Sequence, residues 1–526
     1  MVYVGPGAGD RTQLWIKKRS ELHATPLGGT AGAGTAFVSR DGAWIGFIAH
    51  DKAMKVPVSG GPPVTLADAV CAGMDCETYV SGAFLDDGSV VFSSRDALVR
   101  VGPNGGAADS IVTAKTVGGF ASLQPSPLPR SRGILFTACT LYCHRADVWV
   151  LDLVGHKARP LIRDASRPTY LPTGYVLYVD QQGNAFAAPF DPETLALRGP
   201  ATRVADRVRG SMSVSHDGTL VYAEGDPSPR SEVVIVSHDG KAQSVDSTWR
   251  ADFSTLALSP DGRRVAVSIV TVGEEQLWVK ALGGGPPVRL TFDRAQYTTP
   301  TWTADGASIL VTRFAGDSSS FLSRRADGTG GNVVLKRGTD WVIESDVSRD
   351  GEWLVQREYR RSGARDIYAR RLRGDTSTHT VVATPASDVS PALSPDGKWL
   401  AYASEESGRT DVWVVPFPQS GDARWQVSSD GGWEPVWSRD GRELYYVNDA
   451  RELVAATVRD GPRFTIGARR VLFPLNQYRR HPTHRAYAAL PGNRGFVMIR
   501  DGSPTTGDLV MVDHWFTELA QKVRQP

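Results

Sequence analysis

The chain has 526 residues, of which 41% are hydrophobic and 22% are charged, a composition that suits a globular protein with more than one core. Its 59 Lys and Arg against 57 Asp and Glu leave a formal charge of +2, which argues against a nucleic-acid-binding or membrane-binding surface. The 54 glycines and 33 prolines exceed the usual content and indicate short strands joined by tight turns rather than a helical bundle.

Residues 1–20 lack the apolar stretch of a signal peptide. No window of the sequence approaches the roughly 18 consecutive apolar residues of a membrane span. The sequence therefore predicts neither an export signal nor a membrane span within this chain.

An Asp-Gly pair recurs along the sequence with a period of about 44 residues, which is typical of a repeat architecture. We call the aspartates of these pairs the anchors: Asp41, Asp87, Asp217, Asp261, Asp305, Asp350, Asp396 and Asp440. An apolar residue stands three positions before and four positions after every anchor, and Ser or Thr stands two positions before seven of the eight. This profile predicts an apolar strand, a tight turn and a second strand.

Each repeat continues with a third strand that opens on a polar residue, as in Asp147-Val148-Trp149, Gln276-Leu277-Trp278 and Asp411-Val412-Trp413. A turn rich in Gly and Pro, such as residues 60–63, then leads to a fourth strand. Four short antiparallel strands in about 44 residues form the blade of a β-propeller.

The third strands count twelve units, at residues 2–27, 37–70, 84–114, 133–163, 174–205, 213–246, 256–291, 301–337, 346–383, 392–428, 436–473 and 486–515. Twelve blades exceed an ordinary single ring, so the sequence predicts an all-β fold of tandem β-propellers. Two six-bladed rings are the economical arrangement, and seven plus five blades stay open. We expect an N-terminal propeller at 1–246 and a C-terminal propeller with a short tail at 247–526.

The first unit is incomplete, because one period before Asp41 falls ahead of Met1. Residues 1–4 then correspond to the second strand of a blade. Three explanations are open: the chain is a fragment, its start is assigned late, or the C-terminal segment supplies the absent strand.

The Ser259-Pro260-Asp261-Gly262 turn and the Asp411-Val412-Trp413-Val414 strand resemble the repeats of TolB-like, WD-repeat-like β-propellers. Residues 27–66 and 514–519 also resemble the propeller region that follows the kinase domain in many bacterial Ser/Thr kinases. The Gly-rich loop, the His-Arg-Asp loop and the Asp-Phe-Gly element of kinases are absent from this sequence. The resemblance implies a sensory or interaction region outside the cytoplasm, either periplasmic or tethered through an upstream segment, and no kinase activity.

In propellers of this kind the first strand of each blade lines the central channel. The positions six residues before the anchors are polar and include Thr255, Thr299, Glu344, Ser390 and Glu434. Tyr297, Asp388 and Trp433 stand one or two residues further out, near the expected channel mouth. We predict a ligand or peptide site there; the alternative is that a solvated pore simply needs a polar wall.

The common catalytic motifs are missing: Gly-x-Ser-x-Gly, His-Glu-x-x-His, and the Walker and Rossmann fingerprints. The sequence therefore predicts a non-enzymatic module without catalytic residues, cofactor or metal, which binds a protein or peptide partner. A channel-centred hydrolase or lyase without a linear motif is the alternative.

The four cysteines form two close pairs, Cys71 with Cys76 and Cys139 with Cys143. Local disulfides in an oxidising compartment are our first interpretation. Free thiols or a zinc site that includes His144 are the alternatives.

Arginines crowd two stretches, at residues 357–373 and 479–485. We interpret them as parts of a solvated face paired with neighbours such as Glu358. The alternative is an anionic partner.

Overall fold

The computed structural model describes the chain except for residues 8–11, 50–51, 69–80, 95–96, 118–120, 140–145, 226–229, 272–273, 316–317, 339–340, 360–364, 420, 422, 460–463, 481–483, 503–507 and 525–526. The described residues form antiparallel blades of three to five strands, three of which join edge to edge in one twelve-stranded sheet, so the predicted all-β tandem-propeller fold is confirmed. The contacts divide the chain into unit 1, Met1–Ser228 with Thr505–Pro526, and unit 2, Pro229–Pro504.

The described residues of unit 1 form six sheets, which we number as blades 1 to 6. Their strands are β1 (Val2–Pro6), β2 (Thr12–Ile16) and β3 (Thr25–Pro26); β4 (Thr35–Val38), β5 (Trp44–Ala49), β6 (Lys52–Pro57) and β7 (Val64–Ala67); β8 (Gly82–Phe84), β9 (Val90–Ser93), β10 (Ala97–Val101) and β11 (Asp109–Thr113); β12 (Ala121–Pro127), β13 (Gly133–Cys139), β14 (Ala146–Asp152) and β15 (Lys157–Ile162); β16 (Ala165–Leu171), β17 (Tyr175–Asp180), β18 (Ala185–Asp191), β19 (Ala196–Leu197) and β20 (Thr202–Ala205); and β21 (Val208–Val214), β22 (Leu220–Glu224) and β47 (Leu509–Val512).

The described residues of unit 2 also form six blades, numbered 7 to 12. Blades 7, 8 and 12 pair edge to edge into one twelve-stranded sheet. Their strands are β25 (Arg250–Leu258), β26 (Arg264–Thr271), β27 (Glu274–Ala281) and β28 (Val288–Arg289); β29 (Gln296–Trp302), β30 (Ser308–Ala315), β31 (Ser318–Arg325) and β32 (Val333–Gly338); β33 (Trp341–Val347), β34 (Trp353–Tyr359), β35 (Arg365–Arg371) and β36 (His379–Val382); β37 (Asp388–Leu393), β38 (Trp399–Ser404), β39 (Asp411–Pro416) and β40 (Trp425–Gln426); β41 (Trp433–Trp437), β42 (Glu443–Val447), β43 (Glu452–Arg459) and β44 (Thr465–Pro474); and β45 (Tyr487–Ala489), β46 (Phe496–Arg500), β23 (Ser231–Val236) and β24 (Ala242–Ser244).

The helical segments of the described chain are short: α1 (Ala114–Val117), α2 (Trp515–Arg524) and two 3-10 turns at Pro129–Ser131 and Pro491–Asn493. None of the described helices has the length and apolar content that crossing a membrane requires.

The last blade of each unit is completed by strands from a distant part of the sequence. In blade 6, β47 pairs antiparallel with β22, so Leu220 lies opposite Val512. In blade 12, β23 pairs with β46, so Val234 lies opposite Met498. Unit 1 therefore ends near Ser228 and includes the C-terminal segment as well. The sequence had led us to expect a single junction at 246/247. The segments expected as units 213–246 and 486–515 exchange their outer strands.

The predicted hairpin turn is confirmed at the anchors, and its hydrogen bonds explain the sequence profile. At Asp261 the carboxylate accepts from the Ser259 hydroxyl and from the Arg263 backbone N–H, the latter at 3.0 Å. The Ser259 hydroxyl in turn accepts from the Arg264 N–H at 2.9 Å. Gly262 has φ +69°, a left-handed conformation that favours glycine.

Neighbouring blades of unit 2 pack through the residues around the anchors. The indole N–H of Trp302 donates to the Ala257 carbonyl of the preceding blade at 3.0 Å, and Trp437 does the same to Ala392 at 3.0 Å. The innermost strands contact one another in the cyclic order β25, β29, β33, β37, β41, β45 and back to β25. The inner strands of unit 2 thus enclose a central channel.

Candidate functional site

The channel of unit 2 contains a cavity of about 220 Å³. Residues from all six inner strands or the turns that follow them line it. The lining begins at Thr255, Thr299 and Glu344 in the middle of their strands and ends at Arg349 and Arg439 in the Asp-Gly turns. The cavity therefore opens along the channel toward the turns, and we call this the turn end.

Each inner strand that carries a predicted channel residue contains a β-bulge at that residue or directly before it. Three of these residues have left-handed backbone: Thr299 at φ +54°, Ser390 at +56° and Glu434 at +52°. A bulge removes a residue from the hydrogen-bonded ladder. A buried backbone N–H that leaves the ladder needs another hydrogen-bond acceptor.

A carboxylate of the preceding blade supplies that acceptor for the bulge at Ser390, and a second carboxylate binds the N–H of Ala486 just before β45 in the same way. Glu344 Oε2 accepts from the Ser390 N–H at 2.8 Å, and Glu434 Oε2 accepts from the Ala486 N–H at 2.8 Å. Both carboxylates are buried, with 3% of each residue exposed. These bonds tie adjacent inner strands together, so the two glutamates stabilise the channel wall.

Glu344 also forms a buried ion pair with Arg357, which lies opposite it on β34. The Arg357 Nε lies 3.2 Å from Glu344 Oε2, without the alignment of a hydrogen bond, and the side chains are 1% and 4% exposed. Arg357 therefore belongs to the interior of unit 2, which differs from the solvated face expected for residues 357–373.

Burial raises the pKa of both glutamates. For Glu344 the positive charge of Arg357 opposes the effect of burial without cancelling it, so its pKa stays above the usual range. For Glu434 burial outweighs the charge of Arg480 and raises the pKa to about 7. The wall thus contains carboxyl groups that retain a proton at higher pH than exposed glutamates do.

Five of the predicted site residues lie together in one layer of the channel wall, and three of these line the cavity. Thr255, Thr299 and Glu344 belong to the lining, whereas Ser390 and Glu434 occupy the equivalent positions of their strands, are buried and do not line the cavity. The Thr255 hydroxyl and Glu344 Oε1 have no hydrogen-bond partner among the described residues.

Tyr297, Asp388 and Trp433 lie outside the cavity lining. The Tyr297 ring belongs to the core of unit 2, and its hydroxyl donates to Asp293 at 2.9 Å. Asp388 is fully buried and accepts hydrogen bonds from Thr384, while the Trp433 indole donates to Asp449 at 3.2 Å. These three residues therefore do not line this cavity, and their place at a channel mouth stays a prediction.

The sequence interpretation missed the charged residues at the turn end. Arg349 and Arg439 immediately precede the anchors Asp350 and Asp440, and both line the cavity. The sequence did contain a signal for these residues, namely their position immediately before an anchor. Because the inner strands run along the channel wall, the residue at this position in the following turn lies at the end of the channel. Arg485 also lines the cavity, with its Nη1 3.6 Å from Asp346 Oδ2.

Of the predicted cysteine pairs, Cys71, Cys76 and Cys143 lie outside the described residues. Cys139 ends β13, is 2% exposed and is disulfide-bonded. Within the described part of the chain, no group of three or more His, Cys, Asp and Glu side chains is arranged to hold a metal ion.

No protein-family model and no curated protein matches the chain. The solved structures that resemble it include a putative TolB from Agrobacterium tumefaciens, with 19% identity over 52% of this chain and 99% of that chain and a TM-score of 0.39. TolB from Acinetobacter baumannii has 13% identity over 65% of this chain and 80% of that chain, with a TM-score of 0.34. The tricorn protease has 12% identity over 98% of this chain and 61% of that chain, with a TM-score of 0.33. These similarities are low, and the assignment of the fold rests on the blades described above.

Proposed function

We propose that the protein is a binding module and that the unit 2 channel receives a segment of a protein or peptide partner. The observation that carries this proposal is the cavity lined from all six inner strands. Its volume of about 220 Å³ lies below the ~300 Å³ at which pockets for small molecules usually begin. One or two side chains of a chain segment fill such a space better than a whole cofactor does.

A substitution that fills the turn end tests this proposal. Ala304 lines the cavity, whereas Ala307 is exposed in the same turn and lies outside the lining. We expect peptides selected from a random display library on the wild-type protein to bind Ala304→Trp about tenfold more weakly or worse, because the indole occupies their space. Ala307→Trp is the matched control and should leave affinity unchanged in fluorescence anisotropy.

Two outcomes of this experiment contradict the proposal. One is selected peptides that bind the Ala304→Trp protein as tightly as the wild type. The other is a selection that yields no peptide whose binding depends on the channel.

A hydrolase or lyase centred on the channel is a second candidate function, and one observation favours it. Glu344 lines the cavity with an oxygen that no described residue hydrogen-bonds, and burial raises its pKa. A carboxyl group whose pKa is raised above the usual range can serve as a general acid or base. Turnover of a chromogenic glycoside or ester that Glu344→Gln abolishes would favour catalysis over binding.

We infer that the protein works outside the cytoplasm, and the disulfide of Cys139 supports this. Disulfides persist in oxidising compartments such as the periplasm. We expect peptide mapping of unreduced protein to recover Cys139 linked to Cys143, the local pairing that the sequence predicts. A reduced and alkylated sample is the control, and alkylation of Cys139 in unreduced native protein would contradict the inference.

We further propose that the module serves a sensory system linked to a kinase. The resemblance of residues 27–66 and 514–519 to propeller regions of bacterial Ser/Thr kinases supports this role. The genomic sequence upstream of Met1 decides it: a reading frame that continues into a membrane helix and kinase motifs supports the role, and a stop codon directly before Met1 contradicts it.

A further inference from the structure

The turn end of the unit 2 cavity is spanned by two arginine side chains. Arg349 Nη2 donates to the Arg439 backbone carbonyl at 2.9 Å, and Arg439 Nη2 donates to the Ser259 carbonyl at 3.2 Å. These contacts connect blade 9 to blade 11 and blade 11 to blade 7, passing over the blades between them. The two guanidinium groups therefore lie across the channel.

The acceptors of these two arginines are neutral. Among the ion pairs of the described residues, none joins Arg349 or Arg439 to a carboxylate. The neighbouring anchor Asp440 is occupied by its own turn, since it accepts from the Ser438 hydroxyl at 2.7 Å and from the Arg442 N–H at 3.1 Å. Asp350 is engaged in the same way by Ser348 and Glu352.

The charges around Arg439 are of both signs. Burial, followed by the charge of Arg349, lowers the pKa of Arg439, while the negative charges of Asp346 and Asp261 oppose this shift without cancelling it. Arg485 lines the same cavity and offsets Asp346, while Arg357 offsets Glu344 from within the wall. Arg349 and Arg439 thus form no ion pair with a described carboxylate, and Asp346, whose charge acts on Arg439, is already paired with Arg485.

The planar fork of arginine matches a carboxylate with two parallel hydrogen bonds, and the negative charge of the carboxylate adds an attraction that a neutral carbonyl acceptor does not supply. An incoming carboxylate can therefore replace the carbonyl acceptors with a gain in free energy. Because the arginines border the cavity, such a group would sit at its entrance while neighbouring side chains enter it.

We propose that Arg349 and Arg439 bind a carboxylate of the partner segment, so that the unit 2 channel selects acidic peptides. This inference rests on the proposed binding function. The carboxylate can belong to an Asp or Glu side chain or to the C-terminus of the segment.

Three pools of short synthetic peptides with one fixed central residue test the proposal on the immobilised full chain. The first pool fixes Glu and has an amidated C-terminus, the second fixes Gln with an amidated C-terminus, and the third fixes Gln with a free C-terminal carboxylate. We expect the first or the third pool to be retained roughly 10- to 100-fold better than the second. Preference for the first identifies a side-chain carboxylate, and preference for the third identifies a C-terminal one.

The double variant Arg349→Gln/Arg439→Gln should lose this preference, and Arg349→Gln alone should weaken it, because Arg349 is exposed and its loss leaves the half-buried Arg439 in place. Arg442→Gln is the matched control: it removes an exposed arginine two residues beyond the same anchor, outside the cavity lining, and should keep the preference. Thermal unfolding of all variants checks that they fold.

Equal retention of all three pools, blocked by Ala304→Trp, overturns the arginine site and leaves the binding function standing. The same holds if the acidic preference survives in both arginine variants. If Ala304→Trp reduces the retention of none of the three pools, the binding function itself is overturned.

Discussion

Glu344→Ala should lower the free energy of unfolding of unit 2 by about 3–5 kcal/mol, since removing one partner of a buried ion pair leaves the other charge uncompensated. Arg357 is 1% exposed and would lose the carboxylate 3.2 Å from its Nε. The Ser390 N–H at the bulge of the next blade would lose its acceptor as well. Chemical denaturation, monitored by hydrogen exchange in peptides from unit 2, measures this change in the free energy of unfolding.

The same blade offers a matched control for this prediction. Glu352 forms an ion pair with Arg371 at 3.7 Å, but the two side chains are 58% and 51% exposed. Because solvent screens such pairs, Glu352→Ala should cost at most about 1 kcal/mol. If the two substitutions cost the same, Glu344 does not stabilise the channel wall in the way that its contacts indicate.

Interactions between residues close in sequence could be predicted, and those that depend on distant residues could not. The turn at Asp261 follows from Ser259, Asp261 and Gly262 alone, because these residues bond one another. The polar layer in the wall was predicted from the spacing of its residues. Its role, however, depends on bulges in which Glu434 and Ser390 adopt left-handed backbone. Glutamate and serine have no strong preference for that conformation, so the sequence did not indicate it.

The closure of the two units shows the limit most clearly. The third strands Glu232-Val233-Val234 and Asp508-Leu509-Val510 share one pattern of polar and apolar residues. Pattern alone therefore cannot tell which of them completes blade 6 and which completes blade 12. The structure pairs β47 with β22 and β23 with β46. The arginines of the turn end were missed for a related reason, since only the assembled channel places Arg349 near the backbone of Arg439.

Trp515→Ala should destabilise unit 1 by about 3–5 kcal/mol, although Trp515 follows all of unit 2 in the sequence. The Trp515 side chain is 1% exposed and packs among Leu171, Leu177 and Leu220 of blades 5 and 6. Its backbone N–H donates to the Gly218 carbonyl at 2.9 Å, which fixes the start of α2 at the turn of blade 6. We expect hydrogen exchange to accelerate in peptides of residues 165–224.

Leu509→Ala provides the control within the same C-terminal segment, because Leu509 is 57% exposed and its loss should change stability by no more than about 0.5 kcal/mol. The pattern of exchange also separates two architectures. If the C-terminal segment belonged to the same propeller as residues 247–504, Trp515→Ala would loosen peptides of that range. Because β47 and α2 complete blade 6, the loosening should stay within unit 1 while the channel of unit 2 keeps its protection and its affinity for peptides.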